Sequence, residues 1–225
     1  NIVLDSTASN PVAEAIRGIR HSLDFINFEQ QIKTMLITSA APGEGKSTVA
    51  TNLAVSLART GRKVALVSVD FHRPKSAAYL GLSESLGLSH VLTGQYSLHV
   101  CLQEVGEDGL MVLPSGKVPP NPSELLGSDR MGQVLAQLQQ QFDWVILDGP
   151  PVLAVADTTA VIKWVDGTMV VVRAGSTHRD ELIRAVGMMT GVGAKMLGAV
   201  LVGVTAPGSG SGSYGYTTYA HKRAS

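Results

Sequence analysis

The chain has 225 residues, of which 44% are hydrophobic, and its 18 basic and 18 acidic side chains cancel. This size and composition suit one α/β domain with a real core, and the zero net charge argues against a nucleic-acid binder driven by bulk charge. Cys101 is the single cysteine, which excludes an intrachain disulfide and fits a reducing cytosol.

The N-terminal segment predicts a helix over residues 10–25. Asn10 is suited to the N-cap and Pro11 to the first helical position. Four apolar residues then recur at helical spacing: Val12, Ile16, Ile19 and Leu23.

The same helix carries the pattern E-x-x-R-x-x-R, formed by Glu14, Arg17 and Arg20. Spacings of three residues place these side chains along one side of a helix. Such charges usually belong to a solvated surface. They can instead meet a partner subunit, where Arg–carboxylate bonds fix orientation, and this gives a candidate oligomer interface.

A predicted buried strand, Lys33 to Thr38, leads into the segment A-A-P-G-E-G-K-S-T. Its end matches the phosphate-binding P-loop pattern, although Ala40 stands where the pattern has its first glycine. Gly43 and Gly45 let backbone N–H groups turn toward phosphate oxygens, Lys46 bridges the terminal phosphates, and Ser47 binds Mg²⁺. The alternative is a glycine-rich strand-to-helix turn with a surface lysine. The predicted ATP-binding residues are Pro42, Gly43, Glu44, Gly45, Lys46, Ser47 and Thr48.

A helix from about Ser47 to Arg59, ended by Gly61, is followed by a second apolar strand, Val64 to Val69. Asp70 stands directly after that strand. It is a candidate for Mg²⁺ binding through water or for taking the proton of an attacking hydroxyl. A simple loop-capping role is the alternative.

The remainder alternates between strands and helices. Residues 73–121 are broken by Gly, Ser and Pro, and predict short helices and a strand near Leu110–Leu113. Such alternation predicts a mostly parallel sheet with helices on both faces, the fold of P-loop NTPases. Helices are expected over Asp129–Gln141 and Arg179–Met189, and strands over Trp144–Leu147, Thr168–Val172 and Ala199–Val204.

A second carboxylate, Asp148, ends the apolar run W-V-I-L-D. An apolar strand that ends in Asp is the Walker B pattern, so we predict that Asp148 faces the P-loop and binds magnesium. An ordinary strand-terminating Asp is the alternative. Asp157, a short loop further on, is expected to cap the helix Thr158 to Trp164, with a supporting role at the site as the other possibility.

The chain ends in a Gly/Ser linker that begins at Ala206 and a cluster of three tyrosines, Tyr214, Tyr216 and Tyr219. Eight flexible residues span roughly 16 Å, so this tail can visit its own site or a neighbour's. Beside an ATP site the tyrosines are candidate autophosphorylation sites; low-complexity disorder is the other interpretation. The predicted organisation is a domain over 1–205 and a flexible tail over 206–225.

These motifs together resemble the bacterial tyrosine kinases of capsule and exopolysaccharide systems. The resemblance covers nearly the whole chain and is far more specific than any single motif. It rests on E-A-I-R-G-I-R at 14–20, the P-loop segment at 38–48, V-D-F-H-R-P at 69–74, P-P-N-P-S-E-L-L at 119–126, F-D-W-V-I-L-D-G-P-P at 142–151 and the tyrosine-rich end.

The resemblance implies an autokinase that uses ATP and Mg²⁺, with Lys46, Ser47, Asp70 and Asp148 at its Walker A, A′ and B positions. It implies that the tail tyrosines are phosphorylated between subunits of a ring-shaped octamer to which the E-x-x-R-x-x-R helix contributes. It also implies a membrane adaptor, separate or fused at the N-terminal side, a cognate tyrosine phosphatase and control of polysaccharide export. No nucleic-acid partner is expected.

The location implied is the cytoplasmic face of the bacterial plasma membrane. The chain starts at Asn1 rather than Met and holds no apolar run of about 18 residues, so a membrane region upstream stays open.

Two positions depart from the family pattern. Ser68 stands where the A′ motif usually has its first acidic residue, which predicts weaker metal handling or proton abstraction. Val202 stands where many members have an asparagine that holds adenine, so base recognition is left open.

Two other functions compete with kinase activity. A Min- or Par-type ATPase switch would carry a lysine at the second P-loop position, where this chain has Ala41. An assembly subunit that binds ATP without transferring phosphate is compatible with Ser68.

Overall fold

The computed structural model of the protein describes residues 11–204, except for the side chain of residue 29. The strands are β1 Thr34–Ser39, β2 Val64–Ser68, β3 Gln103–Val105, β4 Leu110–Leu113, β5 Trp144–Asp148, β6 Gly167–Arg173 and β7 Met196–Val202. The helices are α1 Pro11–Gln30, α2 Lys46–Ala58, α3 Ser76–Tyr79, α4 Leu88–Leu92, α5 Leu98–Cys101, α6 Pro122–Leu126, α7 Asp129–Gln141, α8 Asp157–Val161 and α9 Arg179–Gly191, with a 3-10 turn at Ile162–Trp164.

The strands form one sheet in the order β3-β4-β2-β5-β1-β6-β7. All neighbours are parallel except β3 and β4, which are antiparallel. Successive side chains of the central strands point to opposite faces of the sheet, and helices cover both faces. Trp144 and Ile146 of β5 belong to the core under α1 and α2, whereas Val145 and Leu147 belong to the core under α4, α7 and α9. The predicted P-loop NTPase fold is therefore confirmed.

Most predicted boundaries lie within two residues of the observed ones, and three differences are larger. Helix α1 continues five residues past residue 25, with Phe25 and Phe28 exposed on it. Strand β7 begins at Met196 rather than Ala199, because Gly198 has a φ of 148° at an irregularity in the β6–β7 pairing that interrupts the apolar pattern. Strand β3 was missed, since its three residues at the sheet edge, Gln-Glu-Val, form no apolar run. The predicted N-cap, Asn10, lies outside the described residues.

Because β1, β2, β5 and β6 are parallel, their carboxyl ends meet at one edge of the sheet. β5 lies between β1 and β2, and Asp148 at its end is in register with Ile37 on one side and Ser68 on the other. The P-loop and both candidate carboxylates are thus placed within two strand spacings of each other, each spacing being about 4.8 Å.

Candidate active site

A cavity of about 560 Å³ opens at this edge. Open α/β sheets bind ligands at the carboxyl ends of their strands, so its position is the expected one. Its walls come from the segments that follow or end four strands: Gly43 and Lys46 after β1, Asp70 and Arg73 after β2, Pro150 and Pro151 after β5, and Arg173 at the end of β6.

The P-loop has the backbone conformation that the sequence predicts. Gly43 and Gly45 have φ values of 85° and 97°, in the left-handed region that side chains with a Cβ rarely adopt. Nothing lies within 4 Å of a Cβ added at Gly43, so the constraint there is the backbone angle and not space. Lys46 begins α2, so the positive end of that helix faces the cavity.

Glu44 departs from the other predicted phosphate-loop residues, because its side chain turns away from the cavity. It is only 2% exposed; one carboxylate oxygen accepts a 2.9 Å hydrogen bond from the Ala41 N–H, and the other accepts one from the Thr177 hydroxyl. Thr177 in turn accepts a 2.8 Å bond from the Arg173 N–H. Glu44 therefore ties the P-loop to the loop after β6, a contact between distant segments that no local pattern signals.

The three predicted catalytic groups lie together. The Lys46 Nζ is 2.9 Å from Asp70 Oδ2 and 4.0 Å from Asp148 Oδ1, and it lies 3.3 Å from the Ser47 hydroxyl. The other oxygen of Asp70 accepts two backbone bonds, from His72 N–H at 3.1 Å and Arg73 N–H at 2.9 Å. A loop-capping role for Asp70 is thus present alongside its position at the cavity.

Asp148 is fully buried, and neither of its carboxylate oxygens has a hydrogen-bond partner. Burial raises the pKa of this carboxyl to about 6, although the charge of Lys46 pulls it down. The nearby hydroxyls of Ser47 and Ser76 also lower this pKa, though neither is aligned for a full hydrogen bond, while the charge of Asp70 raises it.

These groups fit a magnesium ion bound together with phosphates. Mg²⁺ prefers oxygen ligands and is commonly held by one or two carboxylates plus substrate phosphates and waters. The unpartnered Asp148 oxygens and the Ser47 hydroxyl are such ligands. Among residues 11–204 no cluster of three or more His, Cys, Asp or Glu could hold a metal by itself.

The two departures from the family pattern lie next to predicted site residues, Ser68 beside Asp148 and Val202 beside Gly45. Ser68 is fully buried in register with Asp148, and its hydroxyl has no hydrogen-bond partner. It leaves a polar oxygen, but no second charge, beside the Walker B position. Val202 places an apolar side chain near the P-loop, where an asparagine would place an amide. Its Cγ2 would be 3.5 Å from a Cβ at Gly45.

The expected capping role of Asp157 is wrong. The α8 N-cap is Ala156, with no side-chain cap, and Asp157 is the first helical residue. Its buried carboxylate instead accepts a 2.5 Å bond from the Ser123 hydroxyl and lies 3.1 Å from the His72 Nε2. Asp157 therefore supports the segment that carries Asp70.

Several side chains that sequence reasoning did not assign to the site also line the cavity, among them Arg73, Lys75, Tyr79 and Arg173. The guanidinium of Arg173 donates a 3.4 Å hydrogen bond to the Gly43 carbonyl in the P-loop. The signal for Arg73 and Lys75 was available, since both follow Asp70 within five residues. The position of Arg173 at the end of β6 becomes informative only when β6 is known to neighbour β1.

The three charged residues of the E-x-x-R-x-x-R pattern on α1 have partners within the chain. Arg17 Nε donates a 2.9 Å bond to Glu14, and Arg20 donates a 3.2 Å bond to the Ser56 carbonyl of α2. Glu14 is largely exposed, whereas Arg20 is half-buried against α2. An oligomer interface through these residues stays a prediction.

The tail tyrosines Tyr214, Tyr216 and Tyr219 and the linker after residue 205 lie outside the described residues. In the part that is described, the helices are too short or too polar for any of them to cross a bilayer.

The chain is similar to known proteins over most of its length. Residues 32–177 match the model of the AAA domain family. The tyrosine-protein kinase YwqD of Bacillus subtilis is 37% identical over 90% of this chain and 86% of its own.

Two further matches come from Escherichia coli. The tyrosine-protein kinase etk is 36% identical over 95% of this chain, which spans only 29% of that protein. The solved kinase domain of E. coli ETK superposes with a TM-score of 0.86, covering 92% of this chain and 82% of that domain at 36% identity.

Proposed function

The chain belongs to the bacterial tyrosine-protein kinases, and we propose from this membership that it transfers the γ-phosphoryl group of ATP to the tyrosines of its own tail. The observation that carries the proposal is the meeting of Lys46, Asp70 and Asp148 at a P-loop, with Lys46 Nζ within 4.0 Å of both carboxylates. The acceptors are Tyr214, Tyr216 and Tyr219.

Lys46 and Asp70 change partners in the proposed reaction. Without nucleotide, Lys46 occupies Oδ2 of Asp70 and two backbone N–H groups occupy its Oδ1, so both oxygens already accept hydrogen bonds. ATP offers Lys46 the β- and γ-phosphate oxygens, so Lys46 turns to them and Oδ2 becomes free. The acceptor tyrosine hydroxyl then donates its proton to Oδ2 as its oxygen bonds to the γ-phosphorus and the bond to the β-phosphate oxygen breaks, which releases ADP.

Magnesium would be held by Ser47 and Asp148, and when bound it neutralises charge on the β- and γ-phosphate oxygens. The chain's own contribution is position: the backbone of the P-loop, tied by Glu44 to Thr177, is already arranged for the phosphates. Positioning and electrostatics supply most of the acceleration of phosphoryl transfer.

The transfer is proposed to occur between subunits of a ring, with α1 at the contact. Each phosphorylated tyrosine adds about −1.5 to −2 charges, which turns the slightly basic tail acidic and separates the subunits by repulsion. A membrane adaptor, a cognate phosphatase and an output in capsule or exopolysaccharide export at the cytoplasmic membrane face belong to the same proposal.

Two variants test transfer and its direction. The enzyme carries Tyr214→Phe, Tyr216→Phe and Tyr219→Phe, and the substrate is the Lys46→Met chain with its tail intact. After incubation with ATP and Mg²⁺, mass spectrometry is expected to find phosphate on the tail of the Lys46→Met chain, since only transfer between chains can place it there.

The matched control is Tyr96→Phe, which changes a half-exposed tyrosine that does not line the cavity and should leave tail phosphorylation unchanged. ATP binding without phosphate on any tyrosine would support the second candidate, an assembly subunit. The uncharged Ser68 beside Asp148 is the observation that favours that candidate.

A further inference from the structure

The mouth of the cavity carries more positive charge than the proposed reaction uses. Lys46 and Asp70 cancel, and Asp70 is the one carboxylate among the described residues that line the cavity. Arg73, Lys75 and Arg173 remain, an excess of three cations on a chain whose net charge is zero.

The three cations divide between two sides of the site. Arg173 ends β6, next to β1, and bonds the P-loop carbonyl of Gly43, so it lies on the nucleotide side. Arg73 and Lys75 follow β2, which is separated from β1 by β5. Both are exposed, and no ion pair with a described carboxylate holds either side chain.

Arg73 and Lys75 are on the side from which an acceptor must approach. The acceptor hydroxyl has to reach Asp70, and these residues lie three and five positions after it in the chain. The Asp70 carboxylate also accepts a bond from the Arg73 N–H, which fixes this segment against the reacting centre. Apolar cavity residues, Pro150, Pro151, Ala154 and Val155, supply a surface for an aromatic ring.

We propose that Arg73 and Lys75 select acceptor tyrosines that have a negative charge two or three residues away, above all a tyrosine that is already phosphorylated. This inference rests on the proposed kinase function and names its preferred substrate class. Residues two apart in an extended segment are about 7 Å apart, so a phosphate next to the acceptor falls at the mouth of the cavity.

The chain's own tail has this spacing. Tyr214 and Tyr216 are two residues apart, and Tyr216 and Tyr219 are three apart. Before reaction the tail holds Lys222 and Arg223 and no acidic residue after Ala206, so it meets the cationic mouth without attraction. The first phosphate reverses this, and each phosphorylation makes the tail a better acceptor for the next.

The test uses the chain with all three tail tyrosines changed to Phe, and peptides of residues 211–223 with Tyr219→Phe. Position 216 is phosphotyrosine, glutamate or phenylalanine, so Tyr214 is the single acceptor. Exposed ion pairs contribute modestly, so we expect KM for the phosphotyrosine peptide to be about three- to tenfold below that of the phenylalanine peptide. Glutamate should fall between them.

The deciding variant is Arg73→Gln with Lys75→Gln, which should bring the three KM values together while KM for ATP changes less than about twofold. The matched control, Lys63→Gln with Arg184→Gln, removes the same charge at the opposite edge of the sheet and on α9, and should keep the preference. If the chain that keeps Arg73 and Lys75 has the same KM for all three peptides, the inference is overturned. It is also overturned if the Arg73→Gln, Lys75→Gln chain has a higher KM for ATP and still prefers the phosphotyrosine peptide.

A binding measurement separates this inference from the kinase function itself. Fluorescence anisotropy of the labelled peptides should show tighter binding of the phosphotyrosine peptide, lost in the Arg73→Gln, Lys75→Gln chain. Such binding without any phosphate transfer overturns the kinase proposal and upholds the role of Arg73 and Lys75 in binding acidic segments. Phosphate transfer without any preference for the phosphotyrosine peptide overturns the role of Arg73 and Lys75 alone.

Discussion

Two charged clusters in this molecule contain ion pairs and differ chiefly in burial. The side chains of Lys46 and Asp70 are 10% and 2% exposed, and a second carboxylate, Asp148, lies beneath them without exposure. The side chains of Arg17 and Glu14 on α1 are 40% and 56% exposed. Both clusters are visible in the sequence as short motifs.

Burial decides what each cluster can do. Water screens an exposed pair, so the pair on α1 adds little to stability. Because little is lost when it separates, its two side chains are free to pair with a second subunit. The buried cluster holds charges that the fold solvates poorly. A bound nucleotide with magnesium would stabilise these charges, because the phosphates would pair with Lys46 and the cation with the carboxylates.

The largest expected effect comes from Lys46→Met in the buried cluster. This change removes the cation that faces Asp70 and Asp148 and the group proposed to bind the terminal phosphates. Loss of one such electrostatic group commonly lowers a rate by about 10²–10³. We expect tail phosphorylation, followed by mass spectrometry, to be abolished within detection, and nucleotide binding to weaken.

Lys63→Met, a change of an exposed lysine that immediately precedes β2, is the control and should retain activity. Full activity in the Lys46→Met chain would contradict the assignment of the site.

Asp148→Asn tests the cost of burying this carboxylate, through the pH dependence of stability. Because the pKa of Asp148 rises from 3.8 unfolded to about 6 folded, the folded chain binds the extra proton between these values, and stability falls as pH increases through that window. The corresponding penalty above pH 6 is about 3 kcal/mol.

Urea unfolding of the nucleotide-free chain at pH 4 to 8 measures this effect. The Asp148→Asn chain should gain stability relative to the unchanged chain as pH rises, and lose phosphoryl transfer. Asp129→Asn, at an exposed carboxylate, should leave the slope unchanged. Parallel stability curves for the Asp148→Asn chain and the unchanged chain would show that this burial carries no electrostatic strain.

Much of the buried cluster could be predicted from sequence. The order of apolar run, glycine-rich loop and helix fixes where Lys46 lies, and a strand that ends in Asp brings Asp148 to the same edge because parallel strands end together. These are local patterns combined with one topological rule.

Contacts between distant segments could not be predicted in this way. The side chain of Glu44 looked like part of the phosphate loop and instead bonds Thr177, 133 positions away. Asp157 looked like a helix cap and instead meets His72 and Ser123. A short polar side chain has several local roles open to it, and only the packed fold selects among them.

Asp157→Asn is expected to have an intermediate effect, because it perturbs Asp70 only through His72. The carboxylate of Asp157 holds the His72 ring, and the His72 N–H holds Asp70. A small misplacement of the base lowers turnover without changing phosphate binding, so we expect kcat to fall about tenfold and KM for ATP to change less than about twofold.

Steady-state kinetics with a tail peptide makes this measurement, and Ser123→Ala, which removes a neutral partner of the same carboxylate, should have a smaller effect. If KM for ATP rises and kcat does not change, Asp157 supports the nucleotide site and not Asp70.

The smallest effect on stability is expected for Glu14→Ala with Arg17→Ala in the exposed cluster. A pair three residues apart on a helix surface contributes about 0.2–0.5 kcal/mol, so the melting temperature should scarcely change. If α1 forms the subunit contact, the mass measured by light scattering should nevertheless shift toward the monomer.

The control is Asp24→Ala with Arg62→Ala, which removes a partly exposed pair between α1 and the segment before β2, whose atoms lie 2.6 Å apart without hydrogen-bond alignment. That control should leave the mass unchanged. An unchanged mass in the Glu14→Ala, Arg17→Ala chain would contradict the proposal that α1 forms the subunit contact. The contrast between the clusters would then reduce to burial alone, because the exposed motif would have no role beyond solvation of α1.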